Sequence, residues 1–187
     1  MARLPSLTEA LQNAAVRLRD AAERDIPEIL IAHEDDPSMH LRLGLERPPS
    51  GAELGRQAES GHADRLAGSG TTLALTRPGA DLCLGQLAVH HVDWDHGWAE
   101  LTLWVAPQAR RRGLGSGALA LAAPWLFAEA GLERLHFLCE PDNVPMQRAG
   151  ARAGFVQEAL LHGYVRRRAR RLDMLMFSLL PADLEAR

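Results

Sequence analysis

Val105-Ala106-Pro107-Gln108-Ala109-Arg110-Arg111-Arg112-Gly113-Leu114-Gly115-Ser116-Gly117-Ala118 is the stretch on which the reading of this chain turns. An apolar strand ends at Val105, Pro107 stops it, and a basic, glycine-rich turn opens an apolar helix. Such a turn aims several backbone N–H groups at one point, and the helix start adds partial positive charge. The natural guest is a phosphate or pyrophosphate. Hydrogen bonds to a charged group contribute roughly 1.5–3 kcal/mol each. Three or four amides could therefore supply much of the ~8 kcal/mol that micromolar affinity needs. Two other readings stand beside this one. Gly113-x-Gly115-x-x-Ala118 also fits a Rossmann dinucleotide loop, although seven residues separate Val105 from Gly113, where that loop puts its first glycine directly after the strand. A tight left-handed turn without a ligand is the third.

Outward from the loop the pattern is α/β, with strands and helices mixed. Upstream, residues 71–76, 82–92 and 99–105 read as strands separated by turns at Pro78-Gly79-Ala80-Asp81 and Asp95-His96-Gly97. Downstream, a helix over 115–130 closes at Gly131 and is expected to bend at Pro124. A buried strand over 135–140 follows, then a helix that starts at Pro141-Asp142-Asn143 and ends at Gly154, then a strand pair over 155–165 and 173–180. Nearer the N-terminus, residues 16–19 read as a strand. Asp20 with Glu23 is expected to cap a helix running to about His33. Residues 34–70 turn polar and loop-rich, and Ser50-Gly51-Ala52-Glu53 opens a second helix inside them as a capping box.

Composition narrows the function classes. With 187 residues, 47% hydrophobic and 24% charged, the chain suits one compact domain over 1–187, with an extension over 1–15 and a core over 16–180. A formal net charge of −3 gives no reason to expect nucleic acid as a partner. The longest apolar run, 117–128, contains Pro124 and is far short of the roughly 20 residues of a membrane span. The first residues lack the apolar core of a signal peptide, and two cysteines are too few for a disulfide framework. A soluble cytoplasmic protein is expected. All 21 basic residues are arginine, in line with a GC-rich genome. Without lysine the chain can build no Schiff-base enzyme, Walker-A loop or kinase-type site.

Two blocks together resemble the GNAT superfamily of N-acetyltransferases. Arg110-x-x-Gly113-x-Gly115 matches its acetyl-coenzyme A signature, and Asn143-Val-Pro-Met146 followed by Arg152-Ala-Gly154-Phe155 is similar to its downstream block. The spacing from Gly154-Phe155 through Glu158 to Asp173 resembles the RimJ/RimL branch. The resemblance implies a GNAT fold: a mixed, mostly antiparallel sheet flanked by helices and splayed between two central parallel strands, here 99–105 and 135–140. It places the pantetheine arm of acetyl-coenzyme A in that opening, against the backbone of Leu103 and Val105. It places the pyrophosphate on Arg110, Arg111, Arg112, Gly113, Leu114, Gly115 and Ser116, and Asn143 across the split. The reaction implied is acetyl transfer to a primary amine, either a protein N-terminus or a small molecule, by direct attack in a ternary complex. An acyl-coenzyme A binding or sensing module, a larger acyl group such as succinyl, and a homodimer all stay open. Met146 stands where the branch has a serine thought to help the thiolate leave, and Arg152 replaces the usual lysine.

Glu100 is the candidate base, since Glu100, Thr102 and Trp104 share one strand face beside the implied acyl site; an exposed strand-end carboxylate is the alternative. Tyr164, the single tyrosine, is the second catalytic candidate, as an acid or as a packed pocket wall. Asp173 reads as structural and Cys139 as core. His90-His91-x-x-x-x-His96 invites a metal reading, but neighbours on a strand face opposite ways, so no metal site is expected. Arg166-Arg167-Arg168-Ala169-Arg170-Arg171 reads as a hairpin loop, solvated or a docking patch for an acidic substrate.

Overall fold

The computed structural model describes residues 4–185. In chain order the elements are β1 (Leu11–Gln12), β2 (Arg17–Asp20), α1 (Ile26–Asp35), α2 (Met39–Arg42), α3 (Gly51–Ala67), β3 (Thr71–Thr76), β4 (Gly85–Asp93) and β5 (Trp98–Val105). They continue with α4 (Leu114–Ala130), β6 (Arg134–Cys139), α5 (Val144–Ala153), β7 (Val156–Arg167), β8 (Arg170–Leu179) and α6 (Pro181–Glu185). One sheet holds all eight strands in the order β1-β2-β3-β4-β5-β6-β8-β7. Every neighbouring pair is antiparallel except β5–β6. This is the mixed, mostly antiparallel sheet with one central parallel pair that the sequence implied.

The core lies between one sheet face and α4. Leu18, Leu73, Leu75, Leu87, Val89 and Leu101 are buried on the strands and meet the buried Ala118, Leu119, Ala122 and Leu126 of the helix. Left-handed glycines bound the helix, Gly113 before it and Gly131 after it. Pro124 leaves it continuous. Pro124 and Ala120 both lie on the exposed side, so the Ala120 carbonyl, which loses its usual N–H partner four residues on, faces water. A second part of the core stacks the Phe137 ring on Phe177, with centroids 5.0 Å apart, and tilts it against Phe155 at 5.2 Å. Helix α5 crosses above Phe137 at Gly150, where a β-carbon would overlap the ring.

Two local expectations are corrected. Asp20 does not cap a helix: it ends β2 and takes the Arg65 guanidinium at 2.6 Å. A 3-10 turn over Glu23–Asp25 leads into α1, which has Pro27 in its first turn. Asp25, next to the helix start, accepts both arms of the buried Arg19 at 2.6 and 2.9 Å, together with the Ala22 N–H. A buried guanidinium without a carboxylate costs far more than a missing cap, so the carboxylate goes to Arg19. The arginine run is not a loop either. Arg166 and Arg167 belong to β7, Arg170 and Arg171 to β8, and only Arg168-Ala169 turn between them. By contrast, the capping box at Ser50 and Glu53 forms in both directions, with N···O distances of 2.8 and 3.3 Å. Residues 11–12, assigned to an extension, add a short edge strand to β2.

Two glycine substitutions in helices should move stability in opposite directions. Gly150→Ala forces a methyl into the Phe137 ring and should cost about 1–3 kcal/mol. Gly55→Ala, inside α3 with open space around it, should add about 0.4–1 kcal/mol. Urea unfolding followed by circular dichroism measures both; a Gly150→Ala midpoint at or above that of the wild type would contradict the packing.

Candidate active site

The parallel strands β5 and β6 stay together for only three residue pairs, Trp98–Arg134, Ala99–Leu135 and Glu100–His136. Beyond Glu100, β5 keeps its antiparallel partner β4 up to Gly85–Val105, and β6 keeps β8 up to Cys139–Leu175. Between the two, the β5 edge at 101–105 and the β6 edge at 137–139 have no strand partner among the described residues. Unpaired backbone edges of this kind accept an extended ligand as an added strand.

At the open end sits the basic loop. Arg111 and Gly113 both adopt left-handed backbone, with φ of 61° and 80°. No side chain caps the start of α4, and its first internal bond there runs from Gly117 N–H to the Gly113 carbonyl at 2.9 Å. The amides of Leu114, Gly115 and Ser116 therefore lack a partner within the helix. The three glycines serve different ends. Gly113 supplies the turn. A β-carbon on Gly115 would come within 3.2 Å of Leu103, and one on Gly117 within 3.0 Å of Val16, so these two let the helix lie against the sheet. Arg111 and Arg112 are exposed. Arg110 folds back instead: its Nε donates to the Val105 carbonyl at 2.9 Å and its guanidinium pairs with Asp36 at 2.6 Å. Burial alone would raise the Asp36 carboxyl, but the bonds from Ser38 and Arg110 more than offset it and hold it below its ordinary range.

At the closed end sits Glu100. Its Oε2 lies 3.0 Å from His91 Nδ1 and 4.0 Å from Nε2 of the buried His136 on β6. His90 Nε2 lies 2.7 Å from the Thr102 hydroxyl. Burial pushes the His90 and His136 imidazoles down, and the Glu100 carboxylate offsets part of that. The expected alternation of His90 and His91 fails. A bulge interrupts the β4–β5 register between His90 and Asp93, and His91 takes left-handed backbone with φ of 49°. The two rings meet edge to face at 4.6 Å, and both side chains reach the neighbourhood of Glu100. On the same face, an open cleft of about 470 Å³ runs between α3 and the sheet. Gln57, Ser60 and Asp64 line one side, and His90, Thr102 and Trp104 line the other.

Residues 15–156 match the family described as acetyltransferase (GNAT) domain. The chain belongs to the GNAT acetyltransferase family. This family uses acetyl-coenzyme A. A curated relative, an uncharacterized N-acetyltransferase p20 of Bacillus licheniformis, is 26% identical over 118 residues, which cover 63% of this chain and 66% of that one. Among solved structures, Mycobacterium smegmatis RimJ in complex with CoA-disulfide superposes with a TM-score of 0.77 at 22% identity, over 94% of this chain and 88% of that one. A Salmonella typhimurium acetyl transferase that modifies the N-terminal serine of ribosomal protein L7/L12 gives 0.79 at 15% identity, over 92% and 99%. A GCN5-related N-acetyltransferase of Brucella melitensis gives 0.76 at 22%, over 100% and 85%. These three share the fold.

Other candidates from the GNAT resemblance fall in distinct places. Asn143 caps α5 by accepting the Met146 N–H at 3.3 Å, and Met146 packs against the core beneath it. Tyr164 is 56% exposed, not packed, on the outermost strand β7. The row through Glu100 crosses His136 and Ser178 to reach β7 at Val156, eight residues before Tyr164. The two catalytic candidates therefore lie three strands apart and at different levels of the sheet, and the strand register does not bring them together. Asp173 accepts the Gly163 N–H at 2.7 Å across the β7–β8 hairpin. His136 and Asp36 were not singled out from the sequence. A histidine inside the apolar run Leu135-His136-Phe137-Leu138 was the one available signal for the first; nothing local marks the second.

Burial pushes both thiols, Cys83 and Cys139, up to about 11. At pH 8 only about one thiol in a thousand would be ionised, so neither is a nucleophile. In the folded protein both cysteines should resist Ellman's reagent, and both should react in full on adding guanidinium. Rapid labelling of either before denaturation would contradict their burial.

Proposed function

We propose that this chain transfers an acetyl group from acetyl-coenzyme A to a primary amine, with the α-amine of a polypeptide as the favoured acceptor, inside the opening between β5 and β6. The observation that carries it is the layout of β5: an uncapped, arginine-flanked helix start at one end, a carboxylate at the other, and an unpaired backbone edge between them. In this reading the pyrophosphate sits on the amides of 113–116, with Arg111 and Arg112 beside it and Arg110 bracing the loop through Asp36. The pantetheine arm lies along the backbone of Leu103 and Val105, with Asn143 at the far rim. The acceptor approaches through the cleft beneath α3.

Direct attack then needs few parts. The amine lone pair adds to the thioester carbonyl, the C–S bond breaks, and Glu100 takes the ammonium proton, directly or through water. The thiolate leaves without a side-chain acid, since Met146 has no proton to give. With a carboxylate as the base, an acceptor with a sizeable neutral fraction fits best. Near pH 7.5 an α-amine is about one-third neutral, whereas a lysine amine is roughly one part in a thousand. The Salmonella typhimurium neighbour, which modifies the N-terminal serine of ribosomal protein L7/L12, also supports a polypeptide acceptor. The deciding experiment is a thiol-release screen of acetyl- and succinyl-coenzyme A against peptides and small amines. Turnover with acetyl-coenzyme A and peptides is the expected result; binding without turnover on any acceptor would leave a coenzyme A sensor.

Two variants probe the ends of β5 separately. Gly113→Asp places a carboxylate where the pyrophosphate would lie, at the cost of some backbone strain at φ 80°. Calorimetry should show acetyl-coenzyme A affinity falling by about 100-fold, equivalent to ~2.8 kcal/mol; unchanged affinity in the folded variant would remove the loop from the site. Glu100→Gln should keep that affinity and lower kcat by about 100-fold at neutral pH with an α-amine acceptor. A variant matching wild type at neutral pH would show Glu100 to be a strand-end carboxylate only.

A further inference from the structure

We propose that His90, His91 and Glu100 form a binding site for a divalent transition-metal ion of the zinc class, open to solvent at the acceptor side of the sheet. One ligand atom from each residue lies within 4.8 Å of the other two. Tetrahedral zinc, with bonds of 2.0–2.2 Å, sets its donors about 3.4 Å apart, so small side-chain rotations close the site. His91 is free to make them: its side chain is 70% exposed, and its Nδ1 already lies 3.0 Å from Glu100 Oε2.

The site exists because the β-bulge exists. On a regular strand His90 and His91 would face opposite ways, and no single ion could reach both. The left-handed turn at His91 brings the second imidazole onto the face of the first. The surroundings supply an outer layer of the kind metal ligands use for orientation. The Thr102 hydroxyl is 2.7 Å from one His90 nitrogen, and His136 stands 4.0 Å from Glu100 on the buried side. Two imidazoles and one carboxylate suit zinc, nickel or copper, whereas magnesium and calcium prefer all-oxygen shells. Three protein ligands leave a fourth position for water.

The consequence for catalysis rests on the proposed function above: an ion bound here occupies the carboxylate proposed as base. Zinc would then be a reversible inhibitor that competes for Glu100, and the transfer reaction itself would need no metal.

The test uses the full chain without a histidine tag. Calorimetry with zinc chloride should show one ion per chain, undisturbed by excess magnesium. His91→Ala and Glu100→Gln should each weaken binding at least 10-fold, since even outer-layer losses cost 10–100-fold. His96→Ala should leave it unchanged: His96 is an exposed histidine on the next turn, paired with Asp93 at 3.0 Å. An absence of saturable zinc binding up to millimolar concentration, equal affinity in His91→Ala, or loss on His96→Ala instead would each overturn the proposal. Turnover is then compared with and without zinc, each protein against its own zinc-free rate. Inhibition of the wild type that a chelator reverses, and that His91→Ala escapes, supports the site and the base together. One-to-one binding with the expected variant losses but undiminished turnover supports the metal site and removes Glu100 as the base.

Discussion

Strands β5 and β6 are each committed to another neighbour, and that commitment opens the molecule where a ligand can enter. β5 pairs with β4 along nearly its whole length, and β6 pairs with β8 from Leu135 to Cys139. The two meet only at their starts, where the Gly97 carbonyl takes the Glu133 and Arg134 N–H groups at 2.7 and 3.1 Å. Clamped at the base and pulled by different partners above it, twisted strands diverge. Along the gap the backbone of 101–105 and 137–139 has no strand partner among the described residues, although the Val105 carbonyl takes Arg110 Nε, and such edges favour an extended, amide-bearing ligand over a globular one. The helix start at the open end and Glu100 at the closed end take their meaning from this gap.

The arginine-only composition shapes how the rest is held. Arg19 is buried on β2 and reaches Asp25 before α1 and Asp81 in the turn before β4. It thereby ties β2 and the approach to α1 to the turn before β4, 62 residues further on. The planar fork suits that task better than an ammonium, because it satisfies two carboxylates at fixed angles. Arg110 repeats the device at the surface, joining the end of β5 to the segment after α1 through Asp36. The loop that presents the free amides is held from outside the helix it opens. A loose loop would have to lose entropy when an anion bound, and a braced one has already lost it.

The histidine cluster shows how little a strand needs to change its chemistry. One residue in left-handed backbone converts an alternating pair into two rings on one face. The same bulge interrupts the β4–β5 ladder next to the His90–Glu100 pair, so the carboxylate stands beside a break in the sheet. His136 completes the group from β6 because parallel pairing sets it level with Glu100. Three separate strand segments therefore contribute to one small polar cluster at the base of the opening.

Local chemistry made much of the fold legible. Gly131 and Gly154 end helices because a left-handed residue is needed there, and Ser50 with Glu53 starts one through bonds that need only three residues. The turn from Arg110 to Gly117 could be read because a helix start and glycine geometry act within a few residues. Where a long-range partner competed, local signals misled. Asp20 takes the guanidinium of Arg65, 45 residues on, in place of starting a helix, and the arginine run continues two strands because their ladder absorbs it. The register break at His91, the pairing of Arg110 with Asp36 and the wide separation of Glu100 from Tyr164 depend on which strands lie side by side. A sequence determines such matters only through the whole packed chain, since each turns on contacts between separate elements of the fold.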